Sequence, residues 1–266
     1  MVVLAAAPIA AADVEEQIQK YFELAKAGKD EAAAKKLGEA VITGAAKDAN
    51  VLNEFAWKIL TDDGIAKRDL EVAMRAAKAA YDACEGKEAA IVDTYARAFF
   101  DTGKAADAIK FQKKAVELCQ DDNLRPELAE TLQRYEKKEE QIQKYFELAK
   151  AGKDEAAKKL GKEILAGAAK EANVLNDFAW KILTEEGIAK RDLDLAMRAA
   201  KDAYDACEGK EAAIVDTYAR ALFDTGKVAD AIKFQKKAVE LCQDDNLRPE
   251  LAETLKRYEK KKSETK

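Results

Sequence analysis

The sequence predicts an all-α protein made of two tandem copies of a stack of helical hairpins, and three observations predict it. Only three prolines occur in 266 residues (Pro8, Pro126 and Pro249), while Ala, Glu, Lys and Leu dominate; helix interiors are therefore favoured and rarely broken. The chain also repeats itself: EEQIQKYFELAKAGKDEAA begins at Glu15 and again at Glu139, and VLNEFAWKILTDDGIAKRDL at Val51 returns as VLNDFAWKILTEEGIAKRDL at Val174. Within each copy, apolar residues recur at i, i+3, i+4 and i+7, the spacing of one helix face.

The offset between copies is 124 residues from Glu15 to Glu139 and 123 from Val51 to Val174, because the first copy carries an extra alanine among Ala32, Ala33 and Ala34. Differences are conservative, such as Glu54 to Asp177, Val72 to Leu195 and Phe99 to Leu222. Both copies must share one fold. We place the first copy at 13–137 and the second at 138–266, preceded by an extension at 1–12. The segment Asn123-Leu124-Arg125-Pro126 makes a helix start with Pro in the first turn, and no Gly or Pro follows until Gly152. Leu128, Leu132, Tyr135, Ile142, Phe146 and Ala149 hold one stripe across that span, which predicts a continuous helix over about 126–151, roughly 39 Å long. The same start at Pro249 opens a final helix whose polar tail serves as a C-terminal cap.

A chain that is 48% hydrophobic and 36% charged has the composition of a folded protein. Its net charge of −5 is small, and Lys and Arg alternate with Asp and Glu instead of pooling into a block. Nucleic acid is excluded as a partner on that ground, since neutralising phosphates needs a clustered positive surface. Lys260-Lys261-Lys262 reads as a solvated helix end. The longest apolar run, Val2 to Ala12, falls short of the roughly 20 residues a membrane span needs. That run has the apolar core and the small residues (Ala10-Ala11-Ala12) of a secretory signal peptide but lacks a basic leader. It is either a trimmed remnant, which would place the protein in a secreted or periplasmic setting, or a plain extension.

Within a copy a shorter period appears, since Ala73, Ala80 and Cys84 recur 35 residues later as Ala108, Ala115 and Cys119. The clearest hairpin runs from Ala89 to Cys119. Its first helix carries Ile91, Val92, Tyr95, Ala96 and Phe99 on one face and ends near Thr102-Gly103; the second turns Ala108, Ile109, Phe111, Ala115, Val116 and Leu118 inward. The segment from Val51 to Cys84 has a longer turn, Asp62 to Asp69, with Asp69 as N-cap of the second helix. A third hairpin precedes both, with Ile18, Phe22 and Ala25 on its first helix and the turn Gly28-Lys29-Asp30.

These residues resemble the tetratricopeptide repeat, whose period is about 34 residues. The likeness lies in the turn glycine Gly103, the small packing positions Ala108 and Ala115, the aromatic Phe99, and the Trp-x-x-Leu element Trp57 and Leu60. It departs where Val92 stands in place of the usual Trp, Ala105 in place of an aromatic, and Gln120 in place of the closing Pro. The segment from Trp57 to Arg97 is also similar to repeats attached to bacterial thioredoxin-fold proteins. The resemblance implies a right-handed α-solenoid, with about three hairpins per copy and a capping helix at the end.

Residues able to carry chemistry are few. The chain has no histidine, which removes the commonest general base, the commonest metal ligand and the Ser-His and Cys-His pairs. Cys84, Cys119, Cys207 and Cys242 lack Cys-x-x-Cys spacing and occupy equivalent places in neighbouring hairpins, about 8–10 Å apart by helix packing. Disulfides need Cα atoms within about 7 Å, so these cysteines read as small packing residues. Asp62-Asp63 and Asp121-Asp122 lie in turns, too close in sequence to converge across a cleft, and read as acids flanking helix starts. Asp101-Thr102-Gly103-Lys104 lacks the first glycine and the closing Ser or Thr of a phosphate loop. No catalytic residue, metal or cofactor is expected.

Trp57 and Trp180, with Phe55 and Phe178, read as core. The resemblance implies that first helices line a concave face, which offers Asp93, Arg97 and Phe100, with Asp216, Arg220 and Phe223 in the second copy, as peptide-binding residues. Asn53 and Asn176 join them because Asn is a poor mid-helix residue that can hydrogen-bond an extended peptide. Two functions fit: a non-catalytic scaffold that takes a peptide or protein partner in this groove, and a tandem duplication, natural or engineered, kept for its shape with no ligand.

Overall fold

The computed structural model describes residues 11–28, 30–65, 68–169, 171–242 and 244–264. The 1–12 extension, as well as Lys29 of the first expected turn, therefore falls wholly or largely outside the described residues. Thirteen helices and no strand occur among the described residues, and the chain divides into two units, Met1–Glu136 and Lys137–Lys266.

Unit one contains three hairpins: α1 (Ala11–Ala27) with α2 (Glu31–Gly44), α3 (Ala49–Thr61) with α4 (Leu70–Ala83), and α5 (Ala89–Asp101) with α6 (Ala105–Leu118). It ends on the first half of α7 (Leu124–Lys150). The second half of α7 belongs to unit two, where α8 (Asp154–Gly167), α9 (Ala172–Thr184) with α10 (Leu193–Ala206), α11 (Ala212–Asp224) with α12 (Val228–Leu241), and a closing α13 (Leu247–Glu264) follow in the same order. Each unit is a row of antiparallel helical hairpins. In each, the partners of a hairpin pack on one another and the first helices of successive hairpins also touch, α3 against α5 and α9 against α11.

The predicted stripes become the core. Leu52, Phe55, Ala56, Ile59 and Leu60 of α3 are all buried, as are Val72, Ala73, Ala76, Ala77 and Ala80 of α4. Alanines on α4 let the backbones approach closely, and the aromatic rings of Tyr21, Phe22 and Phe55 fill the adjacent layer edge to face, with centroids 4.9–5.7 Å apart. Tyr145, Phe146 and Phe178 repeat that trio in unit two.

Helix ends follow local chemistry. Asp69 accepts from the Val72 N–H at 3.0 Å and Asp192 from the Leu195 N–H at 3.0 Å, so each caps the second helix of its hairpin as its position predicts. The hairpin turn at Thr102-Gly103 needs a residue at φ +80°, which Gly103 supplies at little steric cost. Gly103 N–H then reaches Phe100 O and Lys104 N–H reaches Phe99 O.

All four cysteines are free; Cys119 and Cys242 are buried, and Cys84 and Cys207 half-buried. Each thiol donates to a backbone carbonyl, Cys84 to Tyr81 O and Cys119 to Asp121 O at 3.4 Å, with the same pattern in unit two.

Candidate binding face on the first helices

The face is built from α3 and α5 in unit one and from α9 and α11 in unit two. With 3.6 residues per turn, the buried stripe of α3 leaves Asn53 and Trp57 stacked one turn apart on its flank. Trp57 is 42% exposed and Trp180 40%. This corrects the assignment of both tryptophans to the core: Phe55 and Phe178 are buried to 1%, whereas the rings two positions later lie outside the stripe. Beside Trp57, the Asn53 Oδ1 is enclosed with no hydrogen-bond partner, and Asn176 Oδ1 is in the same state beside Trp180.

On α5, Arg97 lies one turn before Asp101, and its Nε donates to both carboxylate oxygens at 2.8 Å. The Arg97 side chain is 30% exposed, and so is that of Arg220, which pairs with Asp224 at 2.8 Å. The two arginines therefore reach the surface on a geometry fixed by their own helix.

The remaining expected contacts lie deeper. Asp93 accepts from Gln112 Nε2 at 2.7 Å, and the same Nε2 donates to Leu128 O at 3.2 Å, so one amide on α6 joins α5 to the first half of α7. Burial raises the Asp93 carboxyl above the usual carboxylate range, and the Gln112 hydrogen bond and the Arg97 and Arg134 charges pull it back. Phe100 is only 5% exposed and stacks face to face on Tyr135, centroids 4.0 Å apart. Asp216 with Gln235 at 2.7 Å, and Phe223 with Tyr258 at 4.1 Å, reproduce both arrangements. Phe100 thus stands behind the face, while Asp93, Asp216 and Phe223 are half-buried and held by these partners.

Electrostatics around α9 differ in one respect from α3. Glu54 is exposed, but its counterpart Asp177 is partly enclosed and burial pushes its carboxyl up to about 6, against a hydrogen bond from Asn176 and the Lys181 charge. Among the described residues no three His, Cys, Asp or Glu side chains gather as metal ligands would, and no helix is long and apolar enough to cross a membrane.

Sequence reasoning missed Gln112 and Gln235, which are fully buried although Gln is ordinarily a surface residue. The signal for Trp57 was available, since counting turns from Leu52 and Ile59 leaves it off the stripe.

No family model matches the chain, and no curated protein sequence matches it. Among solved structures, the crystal structure of the P58(IPK) TPR domain is similar over 95% of this chain and 67% of that one, at 15% sequence identity and a TM-score of 0.49.

Proposed function

We propose that each unit is a non-catalytic scaffold that binds an extended peptide segment of a partner protein along its first helices. Asn53, Trp57 and Arg97 are the contacts in unit one, and Asn176, Trp180 and Arg220 those in unit two. Asp93, Phe100, Asp216 and Phe223 hold the face in shape. One observation carries this reading: a partly exposed tryptophan stands one turn from an asparagine on the flank of a first helix, and the arrangement occurs twice.

A side-chain amide beside an exposed indole sets a hydrogen-bonding group next to an apolar surface on one helix flank. An extended segment offers free backbone N–H and C=O groups to the polar side chains of such a flank, whereas a helix has most of its own already satisfied. The indole supplies a broad apolar surface for a side chain of the same segment.

The test is selection of a random-peptide phage library on the purified protein, followed by titration of the enriched peptides. Arg97→Ala combined with Arg220→Ala should weaken binding about tenfold, or about 1.4 kcal/mol, with the circular dichroism spectrum unchanged. Unchanged affinity would contradict this placement of the ligand. Failure of any peptide to enrich would favour a duplicated structural array without a ligand.

A further inference from the structure

The two faces carry the same proposed contact residues. Asn50, Asn53, Trp57, Lys58, Thr61, Arg97 and Asp101 become Asn173, Asn176, Trp180, Lys181, Thr184, Arg220 and Asp224, and within this set of surface positions only Glu54 changes, to Asp177.

The geometry is duplicated along with the residues. Tryptophan exposure is 42% and 40%, each Arg is 30% exposed and held by its own Asp at 2.8 Å, and each Asn Oδ1 is enclosed and unpartnered. The supports behind the faces match equally well: Gln112 and Gln235 each donate at 2.7 Å to Asp and 3.2 Å to a carbonyl. A ligand segment that satisfies one face therefore meets the same indole, asparagine and arginine on the other, with Asp177 in place of Glu54 as the one difference.

We infer that the chain is a bivalent receptor whose two faces share one specificity, and that its partner is a protein presenting the same extended segment at least twice, as tandem motifs or as a homo-oligomer. This rests on the peptide-binding reading above. Two identical sites on one chain add nothing to the affinity for a ligand that offers its segment once, apart from a statistical factor of about two. For a partner that offers it twice, the second contact forms intramolecularly, and the gain in avidity reaches about 10²–10⁴-fold where both sites can be engaged.

The experiment starts from the full chain carrying Trp57→Ala, which leaves only the face on unit two, and selects a random-peptide phage library on it. The enriched peptide is then titrated calorimetrically against wild type, Trp57→Ala and Trp180→Ala, with Asn53→Ala and Asn176→Ala as a second pair should a tryptophan variant lose its helical circular dichroism. The expected result is two peptides per wild-type chain, one per single variant, and dissociation constants of the two single variants within about threefold, or about 0.7 kcal/mol. On a surface densely coated with the same peptide, wild type should dissociate at least about tenfold more slowly than either variant. A wild-type stoichiometry of one, a peptide bound by one face and ignored by the other, or equal dissociation rates would overturn bivalence while leaving peptide binding standing. No enrichment on either variant would overturn the peptide-binding reading and bivalence with it.

Discussion

Gln112 Nε2 donates to Asp93 Oδ1 at 2.7 Å and to Leu128 O at 3.2 Å, so a single fully buried amide ties three helices of unit one together. Its Oε1 has no partner, so the arrangement carries a polar cost and depends on both donor bonds. Gln112→Ala removes the donor to the half-buried Asp93 carboxylate and the tie to Leu128 O, and should lower stability by about 1–3 kcal/mol. Gln235→Ala should cost the same within about 0.5 kcal/mol, because its bonds to Asp216 and Leu251 O have the same lengths. Urea unfolding monitored by circular dichroism checks both.

The tryptophan correction makes a second contrast. Phe55 is 1% exposed in the core and Trp57 is 42% exposed two residues later. Phe55→Ala should cost about 3–5 kcal/mol through the cavity it leaves; Trp57→Ala should cost less than about 1 kcal/mol, as a surface change does. Equal losses in urea unfolding would return the indole to the core.

Much of this was legible in the sequence. Stripes at Leu52, Phe55, Ile59 and Leu60 or at Ile91, Val92 and Tyr95 depend only on helix periodicity, and caps such as Asp69 only on residues three apart. What could not be read involves partners distant in sequence. Phe100 looked like a surface aromatic until Tyr135, on α7, covered it, and Asp93 looked like a groove contact until Gln112 claimed its carboxylate. The change from Asp48 to Glu171 is similar. Asp48 caps α3 through Val51 N–H at 3.1 Å, while Glu171 makes no cap and pairs with Lys138, which stands where the first copy has buried Val14.

Two buried helix glycines should respond differently to a methyl group. A Cβ on Gly38 would lie 2.7 Å from Val72 Cγ1, and one on Gly161 2.3 Å from Leu195 Cδ2. Val72 is β-branched and stiff, whereas the end of Leu195 can swing away. Overpacking costs about 1–3 kcal/mol against about 1 kcal/mol of helix propensity gained. Gly38→Ala should therefore destabilise by about 1–2 kcal/mol and Gly161→Ala by less than half as much, read from thermal unfolding of the two variants.

Asp177 gives the protein a pH dependence of known sign. Its carboxyl titrates near 6 in the folded chain against 3.8 for the ordinary group, so the folded state holds the proton more tightly. Stability is then fully present below the unfolded value, falls as pH rises through about 6, and the penalty persists above it. That difference corresponds to about 3 kcal/mol, which partial exposure to water reduces to about 1–2 kcal/mol. Asp177→Asn, which keeps an acceptor for Asn176, should stabilise the protein by that amount at pH 8 and leave it unchanged near pH 4. A gain independent of pH in urea titrations would contradict burial of the charge.

Trp57 and Trp180 are the only tryptophans in the chain, so intrinsic fluorescence reports directly on the two faces where we propose that a ligand binds. Titration of a library-selected peptide into Trp180→Ala should shift the Trp57 emission to shorter wavelength, with a midpoint equal to the calorimetric dissociation constant, as water leaves the ring. A peptide that binds with measurable heat but leaves the emission of both single-tryptophan variants unchanged would place the ligand elsewhere and contradict the account.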